Sequence, residues 1–522
     1  MINAIGRDIP DELLANGREV FRGNNHRDGR EYVRPGPRVR AHVRPQESKV
    51  VESIREAIVR CGLRDGMTVS FHHHFRDGDY IVNSVMKEIE ALGIRGITIA
   101  ASSLGSAHDP IAQMIEDGVV TGLQTSGIRG RMGEAVSAGK LRTPAILRSH
   151  GGRVRAIEEG ELHIDVAFIG APSCDEYGNA RGKGGKSDCG VLSYAMADAR
   201  YADKVVVITD ALVPFPNFPP SIEAVDVDCV VVVDAIGDPA KIASQALRMT
   251  QDPRDLMMAE ACARVMAATP WFRDGYSFQT GAGGPSLAVN RFLEPLMVER
   301  GITMRWAIGG ISRPTVDLLN KGLIHTVVDA QDFDIAAVNS VHEHPRHFEI
   351  STSQYANPMN KGAFVNKLDF VILAALEIDT DFNVNVVTGS DGILRGAPGG
   401  HPDAAAGAKC TIIVTPLVRG RMPTVCERVV TVTTPGESVD VLVTDYGIAV
   451  NPARQDISAA LEAARIPTTT IGALKDRAYA IVGTPDPLEF EDRVVAIMEA
   501  RDGTLLDVVR QIKPLQQPGG SN

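Results

Sequence analysis

The sequence predicts an α/β protein made of two homologous halves, each a largely parallel sheet covered by helices. Three observations lead there. Apolar runs such as ITIAAS (97–102), VVVIT (205–209), CVVVVD (229–234), DFVILAAL (369–376) and TIIVTP (411–416) are continuous rather than alternating. Continuous runs mark strands buried on both faces. They alternate with stretches of helical periodicity, the pattern of β-α-β units. Finally, unlike motifs recur at one offset of 204 residues: IEDGVV (115–120) answers LNKGLI (319–324), and Asp165, Asp175 and Asn179 answer Asp369, Asp379 and Asn383.

Composition narrows the function classes. A chain of 522 residues exceeds one ordinary core. Its 44% hydrophobic and 23% charged residues are those of a soluble globular protein. A net charge of −11 speaks against a general nucleic-acid binder, and 2 Trp and 9 Tyr supply few platforms for stacking bases. No apolar run approaches the roughly 18 residues of a membrane span, and the N-terminus carries no signal-type apolar region, so a cytoplasmic protein that binds neither membrane nor nucleic acid is expected. Seven scattered cysteines without a C-x-x-C pair read as reduced, buried thiols.

Residues 1–48 hold nine arginines and no lysine, interrupted by Pro35, Pro37 and Pro45. They read as an irregular arm lying over the protein or a partner subunit, or as a disordered tail. Residues 49–252 form the expected first domain and 253–522 the second. SKVVESIREAIVRCGLRDGMTVSF (48–71) and PRDLMMAEACARVMAATPWFRDGYSF (253–278) share the order helix, Arg-Asp-Gly, strand. In each half a further helix then ends at Gly-Ile, Gly93-Ile94 or Gly301-Ile302, and later Pro239-Ala240 answers Pro452-Ala453.

Ligands of parallel sheets sit beyond the carboxyl ends of the strands, so the loops there carry the candidate site. FHHHFRDGD (71–79) offers three adjacent histidines. His72 and His74 fall on one side of an extended chain and His73 on the other, so the three do not converge on an ion, and no metal site is expected. His73 is left as a substrate ligand, a proton shuttle or a structural residue, and Arg76 as a clamp for a carboxylate. TSGIRGRMG (125–133) presents Arg129 and Arg131, and SHGGRVR (149–155) presents His150 and Arg153. Arg181, Lys183 and Lys186 continue this basic cluster, which suits an acidic substrate or an acidic partner. In the second half FQTGAGGPSLAV (278–289) runs from strand through a glycine turn into a helix whose N-terminus favours anions. It matches neither a Walker A loop nor G-x-G-x-x-G. A second glycine loop, 389–400, lets backbone N–H groups come close to a phosphate or an oxyanion.

FQTGAGGPSLAV, AALEIDTDFNVNV (374–386), LRGAPGGHPDAAAGA (394–408) and VTDYGIAVNPAR (443–454) are similar to the glycine loops of the coenzyme A transferases. With VSFHHHFRDGD, TSGIRG, SHGGR and APSCDEYGNA, the chain resembles the citrate lyase alpha subunit family from about Lys49 onward. The resemblance implies a double CoA-transferase fold with the active site between the halves. It implies exchange of acetyl for citryl on an acyl carrier protein thioester, with release of acetate. The implied partners are citrate, the carrier (gamma) subunit with its CoA-derived phosphopantetheine group, and the beta subunit that cleaves the citryl thioester, all within an oligomer. No cofactor is expected to be bound covalently to this chain.

Most CoA transferases use a glutamate nucleophile on the loop after the strand corresponding to 304–308. Here that stretch reads MRWAIGGISRPT (304–315), without a carboxylate. Gly309 stands where the nucleophile is expected, and Glu377 is the nearby carboxylate that either replaces it or serves a structural, hydrogen-bonding role. The missing carboxylate otherwise leads to the expectation of direct attack of citrate on the acetyl thioester. Gly281, Gly283, Gly284, Gly396, Gly399 and Gly400 would then supply oxyanion donors and a pantetheine cradle. Arg76, Arg129 and Arg153, with His73 or His150, would hold the citrate carboxylates. Transfer to another acid such as citramalate, thioester hydrolysis, or a scaffold role in the lyase complex are the rival readings.

Overall fold

The computed structural model describes residues 1–24, 26, 36, 46–242, 250–281 and 283–513. Most of the arginine-rich arm beyond residue 24 and the junction before Thr250 therefore lie outside the described residues. The first half is organised on a ten-stranded sheet in the order Val50–Val51, Cys229–Val232, Lys204–Thr209, Val166–Ala171, Thr68–Phe71, Ile97–Ala101, Val120–Thr125, Ala145–Leu147, Phe490–Glu499, Leu505–Ile512. The second has eight strands in the order Gly447–Val450, Val441–Thr444, Cys410–Val414, Phe370–Leu373, Ser277–Thr280, Met304–Ile311, Ile324–Asp332, His347–Glu349. From Cys229–Val232 to Ala145–Leu147, and from Val441–Thr444 to His347–Glu349, the two orders correspond strand for strand. All of those neighbours pair in parallel.

The repeated polar residues explain why the pattern persists. Asp165 accepts the N–H of Thr68 at 2.8 Å, and Asp369 accepts that of Ser277 at 2.9 Å, so each carboxylate pins the start of its central strand. Asp175 accepts the N–H groups of Tyr177, Gly178 and Asn179 and the Asn179 amide; Asp379 accepts those of Asp381 and Asn383 and the Asn383 amide. A buried Asx turn of this kind satisfies backbone donors that no ladder reaches. Its two residues cannot drift independently, which fits the retention of both.

Two features depart from a simple division at residue 252. The hairpin Phe490–Ile512 belongs to the second half by sequence, yet it pairs in parallel with Ala145–Leu147 and extends the first sheet. The described start of the N-terminal arm packs on that hairpin. Ile9 and Val20 are buried against Ile497 and Leu505, while Arg7 lies 3.2 Å from Asp507 and Arg18 2.7 Å from Glu499. This part of the arm therefore lies over the protein itself. All seven cysteines are free and all but Cys61 are buried.

The halves meet through backbone donors capped by carboxylates from the other side. Val191 N–H donates to Asp332 at 3.0 Å, and the Ser149 hydroxyl and Gly151 N–H donate to Asp403, each at 2.8 Å. Where the loops 125–133 and 394–400 cross, a Cβ on Gly127 would stand 2.4 Å from Ala397 Cβ. Only glycine permits that approach. It brings the carboxyl ends of both sheets onto one cavity.

Candidate active site

That cavity, of about 530 Å³, is walled by both halves. The strand Thr68–Phe71 delivers the three histidines, and His73 turns away from His72 and His74, whose rings stack 6.1 Å apart. His72 Nε2 lies 3.1 Å from Asp198, and His74 Nε2 donates to Gly170 O at 2.9 Å, both inside the first half. His73 alone lines the cavity, its Nδ1 2.6 Å from the Ser102 hydroxyl. Its ring faces His150 at 5.4 Å, with Tyr194 tilted 4.6 Å from each. Burial, then the nearby His150 and Arg76, holds His73 well below the usual imidazole range. Burial and Arg153 bring His150 down to about 3. Both are neutral rings at pH 7.

Arg76 is the most telling residue. It opens a short 3-10 turn, Arg76–Gly78, at φ +53, a left-handed conformation that is uncommon for a side chain of its bulk. Such strain concentrates where function over-determines the backbone. Its guanidinium stacks 4.7 Å over the Phe333 ring, leaving Nη1 buried without a partner. Burial and the neighbouring Arg129 press its pKa down. Arg129 is exposed at the cavity wall, where it precedes the helix Gly130–Ser137. His150 Nδ1 is likewise buried and unpartnered. Among the described residues, Asp77 is the one carboxylate in a wall that carries four arginines.

The second half contributes glycine backbone beside side chains such as Gln279, Phe333 and Tyr355. Gly309 lies in the strand Met304–Ile311 at φ +108, at a register shift, and a Cβ there would sit 3.0 Å from Gln279 Cδ. The Gln279 amide, bonded to the Tyr355 hydroxyl at 2.8 Å, fills the space beside it. Gly399 has φ +54 and its carbonyl accepts the His150 N–H at 2.8 Å. Gly400 follows against Tyr355 and caps the helix His401–Gly407. Among the described residues, neither Gly396 nor Gly400 donates its N–H to a protein acceptor.

Four expected site residues fall off the cavity wall, and Gly281 lines it with its N–H already engaged. Arg153 does not line the cavity. It donates to Asp198 at 2.9 and 2.6 Å and to Ala100 O at 3.1 Å, a buried pair that, with His72, keeps the Asp198 carboxyl well below its usual range although burial works the other way. Glu377 is buried in the small sheet with Val384–Asn385, where it accepts from Asn385 Nδ2 at 2.8 Å and Val430 N–H at 3.2 Å. It too lies off the cavity wall. Gly283 and Gly284 open the helix Gly284–Arg300 behind Ala374 and beside Thr250, off the wall. Gly281 does line the wall, but its N–H is already donated to Ile372 O at 2.7 Å, so it is no oxyanion donor. The wall also holds Tyr194, Gln279, Gln331, Phe333 and Arg419, which sequence reasoning did not single out. Two clusters of described residues have donor atoms close enough to hold a cation, His163/Asp165/Asp203 and Asp329/Asp332/His347, and neither uses His72–74.

Among the described residues, no helix is long and apolar enough to cross a membrane. Residues 47–512 match the family "Citrate lyase, alpha subunit (CitF)". The chain is 53% identical over 468 residues to the citrate lyase alpha chain of Klebsiella pneumoniae, covering 90% of this chain and 92% of that one. It is equally similar to the citrate lyase alpha chain of Escherichia coli (strain K12), again over 90% and 92%. A crystal structure described as the putative alpha subunit of citrate lyase from Streptococcus mutans, in complex with citrate, superposes with a TM-score of 0.95 at 50% identity, over 98% of this chain and 100% of that one. The malonate decarboxylase alpha subunit of Acinetobacter baumannii shares the fold at 16% identity and a TM-score of 0.62, over 83% and 88%. The chain belongs to the citrate lyase alpha subunit family.

Proposed function

We propose that this chain is the citrate CoA-transferase of a citrate lyase, exchanging the acetyl group of a carrier-bound thioester for citrate. The observation that carries this is a pair of buried nitrogens without a partner among the described residues, Arg76 Nη1 and His150 Nδ1, in a wall whose described residues include four arginines and one carboxylate. Such groups are costly to bury unless an anion completes them. The Streptococcus mutans relative is described with citrate bound, and citrate has the carboxylates to answer both nitrogens. Arg76 and Arg129 pair with carboxylates, and the neutral His73 and His150 donate N–H groups.

The reaction needs no enzyme nucleophile. A citrate carboxylate oxygen attacks the acetyl thioester carbonyl, the C–S bond breaks, and a citryl–acetyl anhydride and a thiolate result. The thiolate attacks the citryl carbonyl, acetate leaves, and the citryl thioester forms. Gly309 brings no carboxylate to the strand end, and Gln279 fills the space beside it. The enzyme supplies proximity, worth roughly 7–11 kcal/mol in favourable cases. It also supplies N–H donors at Gly396 and Gly400 for the oxyanions, each worth about 3–4 kcal/mol. The donor is an acetylated phosphopantetheine arm on the carrier subunit, and the product passes to a lyase subunit.

The test is transfer from acetyl-CoA, as a surrogate donor, to labelled citrate, with a parallel borohydride-quenched sample for intact-mass analysis. Citryl-CoA and acetate should form without an enzyme adduct. A trapped carboxylate adduct would sink direct transfer and keep the transferase. Turnover of citramalate but not citrate would replace the substrate, and assembly with partner subunits without any transfer would leave a scaffold.

A further inference from the structure

The cations of the cavity fall into two groups. Arg129 lies close enough to disfavour the charge of Arg76, and Arg76 stands beside His73. Arg419 belongs to the other half. It ends the strand Val418–Arg419 of a two-stranded hairpin with Met422–Pro423, turned at Gly420 with φ +62. Its guanidinium donates to Ala375 O at 3.1 Å and the Thr415 hydroxyl at 3.4 Å, so the side chain is held at the wall formed by Ala374, Ala375 and Gly281. Both acceptors are neutral. Among the described residues no carboxylate lies within ion-pair distance of Arg419, whereas Arg395, the remaining arginine of the wall, is paired with Asp391. Burial and then Arg254, itself 3.9 Å from Asp445, disfavour the charge of Arg419, while Asp255, beyond ion-pair distance, favours it. Arg421, exposed on the same hairpin, has no ion-pair partner among the described residues either.

A fixed, exposed guanidinium held by two neutral acceptors, with no carboxylate at ion-pair distance among the described residues, suits an anion that arrives from solvent. Citrate is already answered by the first-half group. We infer that Arg419, with Arg421 beyond it, is the binding site for the phosphate of the thioester donor's pantetheine arm. This rests on the reading of the donor as a pantetheine thioester. Arg419 would hold the phosphate at the mouth while the acyl end reaches between Gly309 and Gly396. The same chemistry is offered by the carrier's phosphodiester and by the first phosphate of free CoA.

Calorimetric titration of the full chain with 4′-phosphopantetheine and with pantetheine tests the inference without requiring turnover. The phosphorylated arm should bind about tenfold more tightly than pantetheine, and that advantage should vanish in Arg419→Gln and partly return in Arg419→Lys. Equal binding of the two arms by the wild type, or an advantage that survives Arg419→Gln at unchanged melting temperature, would overturn it. Kinetics separate it from the transferase reading. The KM for acetyl-CoA and acetyl-phosphopantetheine should rise about tenfold in Arg419→Gln while the KM for acetyl-pantetheine and citrate stays put. A rise in the citrate KM instead would reassign Arg419 to citrate. Acetyl-carrier against acetyl-CoA shows which source the site favours. Phosphate-dependent binding without any transfer would keep the site and remove the reaction.

Discussion

The two halves share a strand order and an Asx turn, yet they meet the cavity with different materials. The first half presents side chains: His73, Arg76, Arg129, His150 and Tyr194. The second presents glycine backbone at Gly309, Gly396, Gly399 and Gly400 beside the side chains of Gln279, Phe333 and Tyr355, with Arg395 and Arg419 as its cations. A repeated scaffold can divide labour in this way because its polar pins, Asp165 and Asp369 or Asp175 and Asp379, bond local backbone and do not line the cavity, which leaves the other strand-end loops to vary. Those loops are free to diverge into a half that binds charge and a half that admits a thioester to close approach.

Predictions that break this comparison begin with the support of the first half. Arg153→Leu strands the buried Asp198 carboxylate beneath the histidine segment, and losing one partner of a buried pair costs about 3–5 kcal/mol. Thermal melts should show the loss. A variant that melts normally but has a raised citrate KM would mean that Arg153 touches substrate after all. Arg76→Lys tests the charge-binding surface itself. Replacing a planar fork by a point charge should raise the citrate KM about 100-fold, or ~2.7 kcal/mol, and leave the acetyl-CoA KM near its original value. Equal effects on both substrates would blur the division between the halves.

The backbone half should respond in kcat. Gly309→Ala meets the left-handed φ, costing about 1–2 kcal/mol, and pushes a Cβ to 3.0 Å from Gln279 Cδ. A fall of about tenfold in kcat at little-changed citrate KM is expected, in line with that strain reaching the reacting groups. A change confined to citrate KM would place Gly309 in the charge-binding half instead.

How much of this was legible follows from the range of each signal. The paired Asp and Asn residues act on neighbours a few positions away or at strand starts, so the repeat was readable as a constant offset. The split of His73 from His72 and His74 followed from side-chain alternation. Arg153 was misread because its partner Asp198 is 45 positions distant and the helix His150–Glu158 is buried all round, so no solvent face betrayed which way it points. Glu377 looked available because Asn385 and Val430 meet it only through tertiary pairing. The hairpin Phe490–Ile512 joins a strand some 350 positions earlier, a pairing that hydrophobic patterning cannot specify. Gln279, Tyr194 and Phe333 are uncharged and carry no spacing rule. Arg419 did have one: Arg-Gly-Arg at 419–421 is the same arginine-beside-glycine signal that selected Arg129.

The smallest expected effect, one of pH, contrasts a histidine from each half. Burial lowers both His150, to about 3, and His401, to about 4. An unfolded imidazole takes up its proton near 6.5, whereas these folded rings resist it until lower pH. Between those values the unfolded chain binds more protons, so each ring contributes stability that is present above 6.5 and lost as pH falls toward its folded pKa. The loss is up to ~1.4 kcal/mol per pH unit. His401 is bonded at both nitrogens, 2.7 Å from the Thr434 hydroxyl and 2.9 Å from Ala374 O, whereas His150 Nδ1 is unpartnered. A citrate trianion should therefore favour the charged form of His150 and leave His401 alone. Denaturant melts at pH 7 and 5 should show that His150→Gln and His401→Gln each reduce the acid loss of the empty protein. Saturating citrate should shrink the His150 contribution and spare that of His401. If citrate reduces both equally, it acts through overall stabilisation rather than through the first-half imidazoles, and the division between the two halves fails at its most sensitive point.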